Sequence, residues 1–122
     1  MTRSITMLID ENDRTSMLTF RRTEDGALSH DPEVERSQVG ILLAFDIGDD
    51  IDECDDLLDD LRAVAEGRRE PFQRGWDMTM LRIDVSTCNV RAGHASRNPD
   101  GVRVPTPQLI AAVQQLRDLV ST

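Results

Sequence analysis

The stretch from Asp46 to Asp60 concentrates the side chains of this sequence that could bind a partner, hold a cation or move a proton. It reads DIGDDIDECDDLLDD and holds nine acidic residues and no basic one. The whole chain has 23 acidic and 14 basic residues, so outside this stretch the two signs balance and the formal charge of −9 lies within it. Such a stretch could face a basic protein, a cation or only solvent.

The apolar residues of this stretch predict a helix. They recur three and four positions apart, at Ile51, Cys54, Leu57, Leu58, Leu61, Val64 and Ala65. This is the pattern of a helix with one buried stripe. Asp50 suits the N-cap, Glu53 can bond back to the cap, and Gly67 suits the left-handed residue after the last turn. We therefore predict a helix over residues 51–66.

The outward face of the predicted helix is a row of carboxylates. Neighbours of like charge four positions apart cost about 0.2–0.5 kcal/mol per pair, and mixed charges would serve solubility equally well. A solvated face and a face for a basic partner both remain open. A helix-loop-helix calcium site is disfavoured because Gly never falls at the sixth loop position. We take the following residues as candidate partner-binding residues: Asp49, Asp52, Asp55, Asp56, Asp59 and Asp60.

The remaining reactive residue types do not form a recognisable catalytic or metal site. His30 and His94 are far apart in sequence, and no Cys–His pair has the spacing of zinc ligands. Cys54 belongs to the buried stripe and is expected in the core, whereas Cys88 falls in a predicted turn and is expected to be exposed. We predict no catalytic residue, no metal ligand and no cofactor.

Three further features have competing interpretations. Ser29, His30 and Asp31 are adjacent, but neighbours on a strand point to opposite faces and cannot form a proton relay. Paired carboxylates act in glycoside hydrolysis, but this chain has one Trp, three Phe and no Tyr to supply sugar platforms. Trp76 suits either a core anchor or an interface aromatic among arginines.

The order of predicted elements indicates an α+β fold formed by one domain over residues 1–122. Residues 32–37, 68–76 and 96–105 are predicted to be irregular, and the last helix to begin at Thr106 as its N-cap. We expect one antiparallel sheet of about four to six strands with two helices on one face, in the order ββββαββα. Six segments are predicted strands: 4–9, 16–21, 27–30, 39–47, 78–85 and 89–95.

Composition narrows the class of partner. The chain has 39% apolar residues, no charged-then-apolar leader and no long apolar run, so we expect a cytoplasmic protein that does not bind membranes. Its pI near 4.5 disfavours direct binding of nucleic acid and favours a basic protein. The sequence does not fix the oligomeric state.

Part of the chain resembles a family of small, uncharacterised acidic proteins of proteobacteria. The similarity covers residues 57–122 and rests on Phe72-Gln73-Arg74-Gly75, the following strand, and Asn89-Val90-Arg91-Ala92. The family has Trp at the position of Phe72 and a Tyr in the following strand that this chain lacks. It has no established catalytic residues, and the resemblance implies a housekeeping or regulatory interaction domain.

The size, acidity and absence of catalytic motifs also resemble the immunity proteins of contact-dependent growth inhibition. These are small, cytoplasmic, often acidic α+β domains that neutralise a nuclease toxin. The resemblance implies that the acidic helix face pairs with Arg or Lys around the toxin's active site, where the carboxylates would replace substrate phosphates.

Overall fold

The computed structural model describes residues 2–93 and 101–121 and has an α+β fold. Four α-helices lie in the described ranges: α1 Pro32–Glu35, α2 Gln38–Ile41, α3 Ile51–Ala65 and α4 Thr106–Val120. A π-helical segment, Leu42–Ile47, continues α2. The same ranges contain seven strands: β1 Arg3–Glu11, β2 Arg14–Arg22, β3 Leu28–His30, β4 Phe72–Gly75, β5 Thr79–Ile83, β6 Thr87–Ala92 and β7 Val102–Pro105.

The strands form two antiparallel sheets, the first in the order β1-β2-β3 and the second in the order β4-β5-β6-β7. The β1–β2 hairpin turns through Asn12 and Asp13, whose φ angles of 51° and 66° are positive. Two such residues are typical of a tight hairpin, and Asn and Asp tolerate this conformation best after Gly. The predicted α+β class and antiparallel pairing are confirmed. The expected single sheet is wrong.

The sheets meet where the end of β1 lies beside the start of β7, and α4 packs against both strands. Asn12 N donates to the Arg103 carbonyl oxygen at 3.0 Å, and Arg103 N donates to Asn12 Oδ1 at 2.8 Å. Helix α4 packs against α3 and against strands of both sheets. One continuous apolar core therefore joins the two sheets.

The prediction that residues 39–47 form a strand is wrong, because this apolar run is helical throughout. Ser37 caps α2 by accepting a hydrogen bond from Gly40 N at 2.9 Å, and the π-helical segment ends at Gly48 with a φ of 58°. A run that is apolar on every side suits a buried helix as well as a buried strand. The chain therefore approaches α3 from a helix, not from the middle of a sheet.

A buried carboxylate fixes the start of α2. Glu11, which is 9% exposed at the end of β1, accepts hydrogen bonds from Ser37 Oγ at 2.5 Å and Val39 N at 2.9 Å. Gly40 is required at the next turn, because a Cβ there would lie 2.1 Å from the Val34 carbonyl oxygen. The backbones of helices α1 and α2 are therefore in direct contact at Gly40 and Val34.

Three short elements depart from the predicted irregular segments. Helix α1 lies within residues 32–37, β4 within 68–76, and β7 within 96–105, of which residues 96–100 lie outside the described ranges. The predicted N-cap at Thr106 is also wrong, because this buried hydroxyl donates to the Asp84 carbonyl oxygen at 2.8 Å and is already inside α4. Short edge strands and interior hydroxyls depend on distant partners that local sequence does not reveal.

Candidate functional site

Helix α3 forms as predicted and positions the acidic stretch. The Asp50 carboxylate accepts a hydrogen bond from Glu53 N at 3.1 Å and so caps the first turn. After the last turn, Gly67 adopts a φ of 75°, as a helix-terminating glycine does. The side chains that face the core are Cys54, Leu57, Leu58, Leu61 and Val64. The carboxylates between them must therefore line the other sides of the helix.

Arg74 on β4 neutralises one edge of the acidic helix. Its guanidinium group donates to Glu53 Oε1 at 2.6 Å and to Asp60 Oδ2 at 2.7 Å, thereby bridging two turns of α3. Trp76 Nε1 donates to the same Glu53 oxygen at 2.9 Å, and its ring lies 4.9 Å from the Arg74 guanidinium carbon. Glu53 therefore serves the helix-to-strand contact, and the predicted bond from its side chain back to the cap is wrong.

A second arginine extends the same edge. Arg69 donates to the other Asp60 oxygen at 2.8 Å, and its guanidinium carbon lies 3.6 Å from the centroid of the Phe72 ring. Trp76 packs against the core while its N–H bonds to Glu53, which favours the core-anchor interpretation of this residue. The aromatic and guanidinium groups together hold the start of β4 against α3.

The opposite edge of the acidic helix is neutralised by α4. Arg117 Nε donates to Asp55 Oδ1 at 2.9 Å, and the Asp55 carboxylate raises the pKa of Arg117 above its ordinary value. Ahead of the helix, Asp46 accepts hydrogen bonds from Met78 N at 3.2 Å and Thr79 Oγ1 at 2.5 Å. These two carboxylates tie α3 and the segment before it to the rest of the fold.

The centre of the helix face has no internal counter-charge. Asp52, Asp56 and Asp59 lie at positions i, i+4 and i+7 and so share one stripe, and all three are exposed. Asp49, just before the helix, is exposed too. Within residues 2–93 and 101–121 none of these four carboxylates forms a hydrogen bond or an ion pair. We call Asp49, Asp52, Asp56 and Asp59 the open acidic stripe.

The structure thus divides the six candidate partner-binding residues into two groups. Asp55 and Asp60 are half-buried and hold arginines of the same chain, whereas the open acidic stripe faces solvent. Sequence spacing placed five of them on the helix correctly, and Asp49 lies just before its N-cap. The spacing did not indicate which of them would meet an arginine from β4 or α4, because those contacts span 14 to 62 residues of sequence.

The other reactive side chains lie apart from this surface. Cys54 is buried, as predicted, and desolvation followed by the charge of Asp55 raises the pKa of its thiol to about 11. The predicted exposure of Cys88 is wrong, because it is buried and lies 3.3 Å from Thr106 Oγ1. Burial also raises the pKa of the Cys88 thiol. Both cysteines are therefore protonated at neutral pH.

The histidines give no catalytic arrangement in the described residues. His30 is half-buried, with Nε2 3.6 Å from a Glu35 oxygen and its ring edge-on to Phe45 at 5.4 Å. Its neighbour Asp31 pairs with Arg21 instead, and that guanidinium group lowers the pKa of the Asp31 carboxyl. His94 lies outside the described ranges. In the part of the chain that is described, no group of three or more His, Cys, Asp or Glu side chains is placed to hold a metal ion.

The sequence analysis missed a set of arginines on the outer face of the second sheet. Arg82 on β5, Arg91 on β6 and Arg103 on β7 are exposed at positions that alternate with buried residues. The signal was present for the first two, since strict alternation around Leu81 and Val90 directs both arginines outward. The third could not be found because β7 was not predicted.

No protein-family model, curated protein or solved structure matches this chain. Among the helices of the described ranges, none combines the length and the apolar character needed to cross a membrane.

Proposed function

We propose that this chain is a non-catalytic binding protein that neutralises a basic protein domain, as an immunity protein neutralises its toxin. The open acidic stripe is the recognition surface. A nuclease domain is the partner class that fits best, because its active site binds phosphates and therefore presents Arg and Lys. Carboxylates spaced along one helix face would occupy the positions of those phosphates.

The observation that carries the proposal is selective neutralisation. The chain supplies Arg74 and Arg69 to one edge of α3 and Arg117 to the other, yet no described residue supplies a counter-charge to the stripe between these edges. Mutual repulsion along the stripe disfavours the isolated fold. A basic partner would remove this repulsion on binding, so the arrangement is explained by the complex better than by the free domain.

Two exposed apolar side chains, on segments that meet ahead of α3, are the proposed anchor of the interface. Phe45 is 46% exposed and Met78 is 42% exposed. Asp46, the neighbour of Phe45, accepts a hydrogen bond from Met78 N, which brings the two segments together ahead of α3. Charge pairs mainly set the association rate and its salt dependence, whereas buried aromatic anchors set the dissociation rate. The proposed interface therefore has separate parts with separable kinetic effects.

The decisive experiment measures the association of this protein with a cognate toxin domain. A gene for a large secreted toxin immediately upstream would supply that domain, and biolayer interferometry would give both rate constants. We expect Asp52→Asn, Asp56→Asn and Asp59→Asn together to slow association about 10- to 100-fold at low salt and to remove most of its salt dependence. Phe45→Ala should instead accelerate dissociation.

A charge-matched control separates a local effect from net charge. Asp13, Glu70 and Asp77 are exposed and form no ion pair within the described ranges, so D13N/E70Q/D77N changes the net charge equally but leaves the stripe intact. Equal loss in this control, or unchanged association in the stripe variant, contradicts the proposal. An isolated gene beside core metabolism would instead favour the alternative, a housekeeping or regulatory interaction domain.

A further inference from the structure

The second sheet has an outer face that is polar and basic. At its β7 edge, Asp10 and Asp13 of the β1–β2 hairpin line a depression together with Thr87, Arg103 and Pro105. Strand β4 directs Arg74 inward to α3, so Gln73 and the strand positions in register with it point away from the acidic helix. Nine strand positions share this outer face, and none is acidic: Gln73, Gly75, Met80, Arg82, Thr87, Asn89, Arg91, Arg103 and Pro105. We call these nine residues the arginine face.

Strand register brings the three arginines of this face together. Arg82 pairs across the strands with Asn89, which pairs in turn with Arg103, so the two arginines lie on strands that flank β6. Adjacent strands are about 4.8 Å apart, which places these two Cα atoms roughly 10 Å apart. Arg91 lies two positions beyond Asn89 on the central strand and therefore projects from the same side. The three arginines are therefore the neighbours of Asn89 on one face of the sheet.

None of these arginines is neutralised within residues 2–93 and 101–121. Arg82, Arg91 and Arg103 form no side-chain hydrogen bond or ion pair there, although other arginines of this acidic chain do, as in the Arg74 and Arg117 pairs. The arginine face thus resembles the open acidic stripe of α3: in both, charges of one sign are left without an ion pair while similar charges elsewhere in the described residues are paired. A cluster of like charges on a flat sheet repels itself, and a partner of opposite charge would remove that repulsion.

A depression of about 150 Å³ lies among the arginines and is lined by Gln73, Met80, Arg82, Asn89 and Arg91. Its volume is that of about five water molecules, which is enough to receive one acidic side chain between two guanidinium groups. A second depression of about 160 Å³ shares Met80 and Arg91 with the first and is bordered by Trp76 and Met78, and also by Asp77. The first pocket therefore suits a carboxylate and the second an apolar side chain.

We infer that the arginine face binds an acidic segment of a partner protein, placing a carboxylate among Arg82, Arg91 and Asn89 and an apolar side chain beside Met80. Guanidinium groups bind carboxylates through paired hydrogen bonds, and the amide of Gln73 supplies a further donor. The arginine face lies on the opposite side of the second sheet from α3 and suits a partner of opposite charge, although Met78 borders both proposed surfaces.

The features of the face favour a polypeptide over nucleic acid. Sheets that bind single-stranded nucleic acid stack bases on exposed aromatic rings, and none of the nine outer positions is aromatic. The net charge of −9 also repels a long polyanion that extends beyond the patch, whereas a short acidic segment is confined to it. A second copy of this chain, with its own open acidic stripe, is a separate outcome of the test.

The test uses a fluorescein-labelled peptide of alternating Glu and Leu with the intact protein. Fluorescence anisotropy at low salt should show saturable binding that weakens as salt is added, and a Gln–Leu peptide of equal length should not bind. Replacing Arg82, Arg91 and Arg103 with Gln should weaken binding at least about fivefold, the combined effect of three exposed charge contacts. Circular dichroism confirms that each variant is folded.

The matched control replaces three exposed arginines elsewhere, Arg14, Arg36 and Arg68, with Gln and therefore changes the net charge equally. It should retain peptide binding to within about twofold. Absence of peptide binding, or equal loss in the control, overturns the inference. Tighter binding of labelled oligothymidylate than of the peptide overturns it in favour of nucleic acid. Sedimentation that shows salt-sensitive oligomers of the wild type, dissolved by R82Q/R91Q/R103Q without any peptide binding, overturns it in favour of self-association.

Discussion

Arg74 donates a hydrogen bond of 2.6 Å to Glu53, a residue of the first turn of α3, from a strand that begins after that helix has ended. The same guanidinium group reaches Asp60 at 2.7 Å. One arginine thus holds two carboxylates of an acidic helix about two turns apart. This contact separates the acidic residues that support the fold from those that remain available to a partner.

Replacement of Arg74 is expected to destabilise the fold more than the replacement of a typical surface residue does. The side chains of Arg74, Glu53 and Asp60 are only 21%, 25% and 20% exposed, so Arg74→Met removes the arginine that pairs with Glu53 and leaves Asp60 with Arg69 alone. We expect a loss of about 1–3 kcal/mol in the free energy of unfolding, measured by urea denaturation at low salt.

The matched control for this loss is Arg36, whose pair with Glu33 is 74% and 65% exposed. Arg36→Gln should cost less than about 0.5 kcal/mol, because exposed pairs contribute little. If R74M and R36Q were equally stable, the contact between α3 and β4 would not have the role assigned to it.

Gly40 is expected to be intolerant of a single added methyl group. An alanine Cβ would lie 2.1 Å from the Val34 carbonyl oxygen, which is backbone and cannot rotate away. We expect Gly40→Ala to destabilise the protein by about 1–3 kcal/mol, which outweighs the gain of up to about 1 kcal/mol in helix propensity.

Gly93→Ala provides the comparison for Gly40, since among the described residues its added Cβ would meet the Met78 carbonyl oxygen alone, at an ordinary 3.5 Å. That variant should change the free energy of unfolding by less than about 0.5 kcal/mol. Thermal unfolding followed by circular dichroism ranks the two variants, and similar melting temperatures would mean that α1 and α2 can separate without cost.

Stability at high pH is expected to depend on Cys54. Burial raises the pKa of its thiol from 9.0 to about 11, so between these values the unfolded chain loses this proton while the folded chain retains it. The contribution of the protonated Cys54 thiol to the free energy of unfolding is fully present below pH 9. As the pH rises towards 11, about 2–3 kcal/mol of it is lost. The chain has no Lys and no Tyr, so few other groups ionise in this range.

The pH slope of stability, measured by urea denaturation, tests this assignment better than stability at a single pH. Cys54→Ala should flatten the decline between pH 9 and 11 even if it lowers stability at pH 7. Cys88→Ala should retain the decline that belongs to Cys54. An unchanged slope in C54A would show that another group controls the alkaline transition.

The sequence predicted α3 because three local signals agreed: the apolar stripe, the cap at Asp50 and the terminating Gly67. The strand prediction for residues 39–47 was wrong because this apolar run shows no hydrophobic periodicity. The run also contains Leu42, Leu43 and Ala44, which favour a helix over a strand. The cap at Ser37 was a usable signal for that helix. Hydrophobic periodicity therefore predicted the type of an element only where one of its faces is buried and the other is exposed.

The arrangement of the candidate sites was less predictable than the elements that form them. Whether Asp60 or Asp56 remains available depends on Arg69 and Arg74, which approach from outside the helix. Arg117 reaches Asp55 across 62 residues of sequence. Such contacts follow from how α3, α4 and β4 pack together, and no local pattern encodes them.

Asp56 offers the sharpest separation of stability from binding. Its neighbours three and four positions away are Asp52, Glu53, Asp59 and Asp60, so every side chain adjacent to it along the helix is acidic. Asp56→Asn keeps the shape and a similar helix propensity but removes repulsion of about 0.2–0.5 kcal/mol per neighbour at i,i+4. We expect the free energy of unfolding to rise by about 0.5 kcal/mol at low salt, and the gain to vanish at high salt.

Asp60→Asn is the matched comparison, because it lies one turn further along α3 and binds Arg69 and Arg74. It should lower stability by about 1 kcal/mol, although both variants lose one carboxylate from the same helix. A stabilising D56N that also slows association with a basic toxin domain would identify a residue that opposes folding and promotes binding. If D56N destabilised the protein as D60N does, Asp56 would have a structural role, and the open acidic stripe would lose its central member.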